Sequence, residues 1–480
     1  MNQFTRRNFL AAGAAVTALP LLRSARAAEA PTLLRATSRV LDVNGRAATV
    51  FGLVQPDGTH GLISQVGKRF QVTLENQLGA ETLVHWHGLT PPSDQDGVPG
   101  LSQPLLAPGG RNDYDFALTR PGTNWMHSHH GLQEQQLLAA PLIVRDPAEA
   151  GLDEQEVVLL LHDFTFTDPL EIFAQLTGGM QPMNHGASMD SSGGLAGMDR
   201  SAMTHGGGMA HLNDVEFDAY LANDRTLADP EVVRVERGGQ VRLRIINAAA
   251  STNFHLDLGA LDGTLIAVDG HAIVPLAERR FPLAIAQRLD VRLQLPAGEG
   301  AFPVLALREG GAERAGLILA TRNATVSAIP QLAGDPTPAI GLELEKRLQS
   351  NEPVAVPENQ PVRTHIVELT GGMMPFNWGL NGVRFGQDRP IPVALGERVE
   401  ISFVNRTDMS HPIHLHGHAF QVIAIDDIAL SGARRDTVLV PIGASVIVAF
   451  TADNPGHWAL HCHNLYHMAA GMMTSVKYEG

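Results

Sequence analysis

The sequence predicts an all-β fold of three tandem β-sandwich domains, and three observations carry that prediction. Hydrophobic residues make up 44% and charged residues 18%, with 48 Gly and 30 Pro, a composition that suits strands joined by many turns rather than helices. At 480 residues the chain exceeds what one core usually organises. A ten-residue pattern, Gly-x-x-apolar-x-apolar-x-apolar-x-Asn, also occurs three times, at Gly67 to Asn76, Gly238 to Asn247 and Gly396 to Asn405. Each copy reads as one amphipathic strand ending in a turn.

The first element is an export segment. Residues Thr5-Arg6-Arg7-Asn8-Phe9-Leu10 precede an apolar run from Leu10 to Leu22, and Ala25-Arg26-Ala27 resembles a cleavage site. This layout predicts a twin-arginine signal over 1–27, read by the twin-arginine export machinery, and a periplasmic or otherwise exported protein. The apolar run is too short to span a bilayer comfortably, so no stable membrane insertion is expected. Removing four arginines and no acid would take the net charge from −15 to −19. So acidic a body argues against nucleic-acid partners and anionic membranes.

Three modules follow. About ten residues beyond each patterned Asn comes a His-bearing segment: His85-Trp86-His87, His255-Leu256-Asp257 and His414-Leu415-His416. Each module closes with a Gly five residues before a strand position, at Gly122 to His127, Gly300 to Leu305 and Gly456 to His461. Repeats more than a hundred residues apart indicate tandem domains rather than a solenoid. The expected boundaries are 29–148, 152–325 and 335–480. Residues 177–213 interrupt the middle module with six methionines among Gly, Ser and His, a low-complexity insert.

The chemistry lies in the outer modules. Alternation along a strand aims both imidazoles of a His-x-His pair the same way. By that rule His85, His87, His127, His129, His414, His416, His461 and His463 form one set, while Cys462 faces the opposite side. His130 points away from its neighbours and is set aside as an outer-layer or surface residue. Eight imidazoles are too many for one ion, and imidazole suits copper. Cys462, the only cysteine, has no partner for a disulfide; with His411, His467 and a distant Met472 it makes the thiolate-imidazole-thioether set of a blue-copper site.

These segments, HWHG at 85–88, WMHSHHG at 125–131, HPIHLHG at 411–417 and HCHNLYHMAAGMM at 461–473, resemble the four copper motifs of multicopper oxidases. The resemblance covers essentially the whole mature chain and implies three cupredoxin-like Greek-key domains holding four copper ions. It implies type 1 copper at His411, Cys462, His467 and Met472, and type 2 copper at His85 and His414. A type 3 pair is implied at His87, His127, His129, His416, His461 and His463. It further implies dioxygen as acceptor, one-electron oxidation of a donor, and a proton-supplying acid at Asp96, although Asp96-Gly97 also reads as an ordinary turn. Some relatives carry a second acid directly after the residue matching His467; here Met468 stands there.

The donor is read from thioethers, which prefer Cu(I) to harder ions. The insert 177–213 and the phrase DGVPGLSQP resemble bacterial copper-resistance oxidases, which implies oxidation of Cu(I) as detoxification. Met373, Met374 and Asp408-Met409 either line a Cu(I) site or fill a core. A laccase oxidising phenols that reach the His411 edge is the alternative, and a non-catalytic periplasmic copper-binding or assembly protein is another. A monomer is expected.

Overall fold

A computed structural model pairs alternating strands such as Arg69–Asn76 and fully buried ones such as Gly122–Ser128 into six sheets. It describes residues 30–178, 212–352 and 362–479, all but the first two in one unit that runs from Thr32 to Gly480. The all-β class holds. The signal segment 1–27 and most of the insert 177–213 lie outside the described residues.

The sheets come in three pairs with one recurring topology. In each pair the opening strand runs parallel to the strand of the Gly-to-Asn pattern: Thr32–Val43 beside Arg69–Asn76, Glu154–Phe164 beside Gln240–Asn247, and Val362–Met373 beside Arg398–Asn405. In the facing sheet the His-bearing strand runs antiparallel to the closing strand: Val84–His85 beside Gly122–Ser128, Phe254–Asp257 beside Ala301–Arg308, and His411–Leu415 beside His457–Cys462. Apolar residues of alternating strands fill the space between each pair, among them Leu34, Val72 and Leu142 in the first, Leu243, Val291 and Leu317 in the second, and Ile401, Val448 and Trp458 in the third.

The Asn that ends each repeat has a definite job. Asn76, Asn247 and Asn405 are buried at the strand end. Each side-chain oxygen accepts from the backbone N–H two residues on, at Leu78, Ala249 and Thr407, over 2.9–3.1 Å. Each amide donates to a nearby carbonyl, of Ala80, Thr252 or Met409, and to a distant one, of Leu106, Leu283 or Val440. Asparagine suits this because its short amide satisfies its own turn and still donates twice. The turn it fixes leads into the His-bearing strand, so the repeat sets where the imidazoles lie.

Candidate metal centres

Two cross-strand pairs seed the larger cluster. His85 lies opposite His127, and His414 lies opposite His461, each pair on antiparallel neighbours. The partner imidazoles His87, His129, His416 and His463 fall just past the strand ends, so each His-x-His pair straddles a strand terminus instead of lying within the strand. The alternation survives that last step. All eight imidazoles are at most 2% exposed. Their ligating atoms gather as His87-His127-His463, His129-His416-His461 and His85-His87-His414. His130 joins none of these groups.

Hydrogen bonds decide which nitrogen faces inward. Three carboxylates, Asp96, Glu134 and Asp436, stand behind the rings. Nδ1 of His416 donates to Asp96 Oδ2 over 2.8 Å, and Nδ1 of His85 to the Asp96 carbonyl over 2.9 Å. Nδ1 of His127 lies 2.9 Å from Glu134 Oε2, and Nε2 of His87 lies 3.1 Å from Asp436 Oδ1. The Asp436 carbonyl accepts from His414 Nδ1 over 2.8 Å. The opposite nitrogens, Nε2 of His85, His127, His414 and His463 and Nδ1 of His87, are buried with no hydrogen-bond partner among the described residues. Burial, then the neighbouring imidazoles, holds His414, His416 and His463 well below the usual histidine range, so the rings are neutral and their inner lone pairs are available. Buried polar atoms left unpaired cost free energy unless something takes them, and neutral imidazole nitrogens suit copper.

The second centre lies on the other face of the His457–Cys462 strand. Cys462 Sγ is 3.6 Å from His411 Nδ1 and 3.7 Å from His467 Nδ1, and the two nitrogens are 3.1 Å apart. His467 rides on the short helix Leu465–Ala469, whose Asn464 cap accepts from the Tyr466 and His467 N–H groups. Burial pushes the Cys462 thiol up, so it becomes a thiolate here only against a bound cation. Met472 is fully buried in the same core, and its carbonyl accepts from the Cys462 N–H over 3.0 Å. Outside the centre, Thr407 Oγ1 lies 2.7 Å from His411 Nε2, Asp214 oxygens lie 3.1 and 3.2 Å from His467 Nε2, and Trp378 tilts against His467 at 4.1 Å.

Comparison with known proteins agrees with this arrangement. Multicopper oxidase family models match residues 59–149, 155–329 and 356–479. The chain is 35% identical to multicopper oxidase MmcO of Mycobacterium tuberculosis, over 86% of this chain and 80% of that protein. The chain belongs to the multicopper oxidase family. This oxidoreductase is also 27% identical to a copper resistance protein A homolog of Pseudomonas syringae pv. tomato, with 86% of each covered. Its fold is that of the laccase from Botrytis aclada, at a TM-score of 0.71 and 23% identity over 93% of this chain and 88% of that one. The sheet pairs are accordingly cupredoxin-like.

Several residues of the oxidase's site were not visible in its sequence. Glu134, Asp436 and Asp214 look like ordinary polar residues until folding brings them to His127, His87 and His467. Glu134 stands seven residues after His127, in a segment whose polar residues Gln133, Glu134 and Gln135 are all buried, which only the structure shows. His411 is fully buried, with its outer nitrogen against the Thr407 hydroxyl. Met409 is buried core, whereas Met374 is 95% exposed at a hairpin tip and Asp408 is exposed.

Proposed function

We propose that this oxidase removes one electron from each of four Cu(I) ions, giving Cu(II), and combines those electrons and four protons with dioxygen to give two waters. The observation that carries the choice of donor is the placement of the Met-rich insert's ends. Before it, helix Pro169–Thr177 packs Ile172 and Phe173 into the core that holds Cys462 and Trp378. After it, Asp214 is hydrogen-bonded to His467. A segment rich in Cu(I)-preferring thioethers therefore starts and ends beside the Cys462 centre.

In this reading four copper ions are held: type 1 by His411, Cys462, His467 and Met472, type 2 by His85 and His414, and the type 3 pair by His87-His127-His463 and His129-His416-His461. Bound copper supplies one-electron acceptance at the first set and four-electron delivery to dioxygen at the second. The chain supplies the rest. Cys462 sits between His461 and His463 in sequence, giving a short covalent path between the sets. Asp96, buried and touching both His416 and His85, relays protons to the oxygen-reducing side. Phe376 and Trp378 cover His467 and exclude water from it.

The export signal at 1–27, a periplasmic location, the monomer and the domain limits 29–148, 152–325 and 335–480 belong to the same proposal. The test is oxygen uptake with Cu(I) and with a simple phenol, for the copper-loaded protein and a variant lacking 177–213. Deletion is expected to lower Cu(I) turnover and to spare or raise phenol turnover. Equal losses on both donors would count against a copper-specific insert; faster uptake with phenol before deletion would make the protein a laccase, and no uptake with either would favour a copper-binding or assembly role.

A further inference from the structure

The first and third sheet pairs share more than their imidazoles. His85 faces His127 across antiparallel strands, and His414 faces His461 in the same way. Thr82 stands three residues before His85, and His411 three before His414. Counted from His127 and from His461, Ser128 and Cys462 stand one residue later, Gln133 and His467 six later, and Leu138 and Met472 eleven later. The backbone keeps this register through both loops. Ser128 N–H donates to the Leu138 carbonyl over 2.8 Å, and Cys462 N–H to the Met472 carbonyl over 3.0 Å. Leu138 N–H donates to the Gln133 carbonyl over 3.1 Å, and Met472 N–H to the His467 carbonyl over 3.0 Å. Thr82, Ser128, Gln133 and Leu138 therefore hold, in the first pair, the places of His411, Cys462, His467 and Met472.

The polar side chains at these places meet each other, as the thiol and imidazoles of the third pair do. Thr82 Oγ1 and Ser128 Oγ each donate to Gln133 Oε1 over 2.7 Å. Gln133 Nε2 donates to the Glu81 carbonyl over 2.8 Å, and Ser128 Oγ accepts from the His130 N–H over 3.1 Å. All three residues are buried, and Leu138 is fully buried in the core of the first pair. One amide thus ties the chain just before His85 to the residue between His127 and His129. Two hydroxyls and an amide offer copper neither thiolate nor imidazole, so this join is made by hydrogen bonds alone.

We propose that Thr82, Ser128 and Gln133 are the metal-free counterpart of the Cys462 centre, and that Gln133 is a positioning residue that holds the His85-x-His87 and His127-x-His129 segments for the imidazole cluster. The join is needed because His87 and His129 lie past their strand ends, where the sheet no longer fixes them. In the third pair the matching join runs through His411, Cys462 and His467. A buried network with every member satisfied specifies one arrangement, and contacts behind a ligand set its orientation. That the imidazoles bind copper rests on the proposed function; the shared register and the hydrogen bonds do not.

Gln133→Leu strands two hydroxyls and the Glu81 carbonyl. In the copper-loaded protein it is expected to lower oxygen turnover roughly tenfold or more at unchanged donor KM, and to weaken the near-ultraviolet absorption of the type 3 pair while the visible absorption of the Cys462 centre stays. Gln133→His keeps one acceptor and one donor and is expected to stay within about threefold of the parent. Ser128→Ala, a smaller change, should move the same readouts in the same direction as Gln133→Leu. Before copper loading, Gln133→Leu is expected to speed amide exchange at Ser128 and His130 by about tenfold, through local opening. Thr82→His, Ser128→Cys, Gln133→His and Leu138→Met, made together with Cys462→Ser, are expected to restore blue absorption on copper addition, now from the first pair. Unchanged type 3 absorption and unchanged exchange in Gln133→Leu would overturn the positioning role, and a folded combined variant that stays colourless with copper would overturn the equivalence. A parent protein that takes up no copper would refute the proposed function instead, while the exchange rates would still be readable.

Discussion

At the residue scale, the orientation of each imidazole is fixed from behind. Glu134 is the clearest case: it is 2% exposed, burial and the nearby Asp163 raise its pKa well above the usual carboxylate range, and Oε2 meets His127 Nδ1. Outer-layer carboxylates of this kind fix the tautomer of a ligating histidine, and their loss typically costs roughly 10–100-fold in metal affinity or activity. Glu134→Gln keeps the shape but removes an acceptor, so turnover is expected to fall at least tenfold and copper retention on dialysis to weaken. Visible absorption from the Cys462 centre should be unchanged, because Glu134 touches only the imidazole cluster. Full copper retention with unchanged turnover would show that the Ser128 carbonyl, 3.1 Å from the same nitrogen, holds His127 alone. The histidines were legible in sequence because His-x-His is a local pattern. Glu134, Asp436 and Asp214 were not, because each acts across a contact that only tertiary structure creates; Asp436 and His87 are 349 residues apart in the chain.

At the scale of elements, the repeated Asn is the device that converts a strand into a positioned ligand. The pattern itself was legible and its three strands form where expected, but its purpose was not, since the carbonyls it reaches at Leu106, Leu283 and Val440 lie 30 to 36 residues away. In the middle copy no described residue joins a candidate metal group, and His255 there bonds the Pro338 carbonyl. Asn247 therefore isolates the structural contribution. Asn247→Ala removes two donated bonds and one accepted bond in a buried turn, each worth about 1 kcal/mol net and more where a buried partner is left unpaired. A loss of about 3 kcal/mol in unfolding free energy is expected from denaturant titration, with visible absorption per folded molecule unchanged. A loss below about 1 kcal/mol would mean that the turn closes without its side chain.

At the scale of the whole molecule, an ionic network ties the three sheet pairs around the imidazole cluster. Arg288, fully buried on a strand of the second pair, donates to the Thr123 carbonyl of the first and pairs with Asp436 of the third, the residue that bonds His87. Asp269 and Arg435 extend the chain of charges to Glu345. Removing one partner of a buried pair strands the other charge and costs about 3–5 kcal/mol. Arg288→Met should accordingly lower stability by about 4 kcal/mol and deplete copper from the imidazole cluster before the Cys462 centre. The tandem arrangement was legible from repeat spacing; this network was not, because arginines on alternating strands read as solvated faces until another sheet covers them.

In the proposed reaction the residues gathered at these two centres deliver four electrons to one dioxygen. It is tested most directly by the stoichiometry of Cu(I) oxidation, measured with an oxygen electrode in the presence of the copper-loaded protein and with Cys462→Ser as the blank for uncatalysed reaction. Four Cu(I) consumed per dioxygen are expected, with no oxygen returned when catalase is added. Two Cu(I) per dioxygen with oxygen returned by catalase, or equal rates with Cys462→Ser, would contradict it.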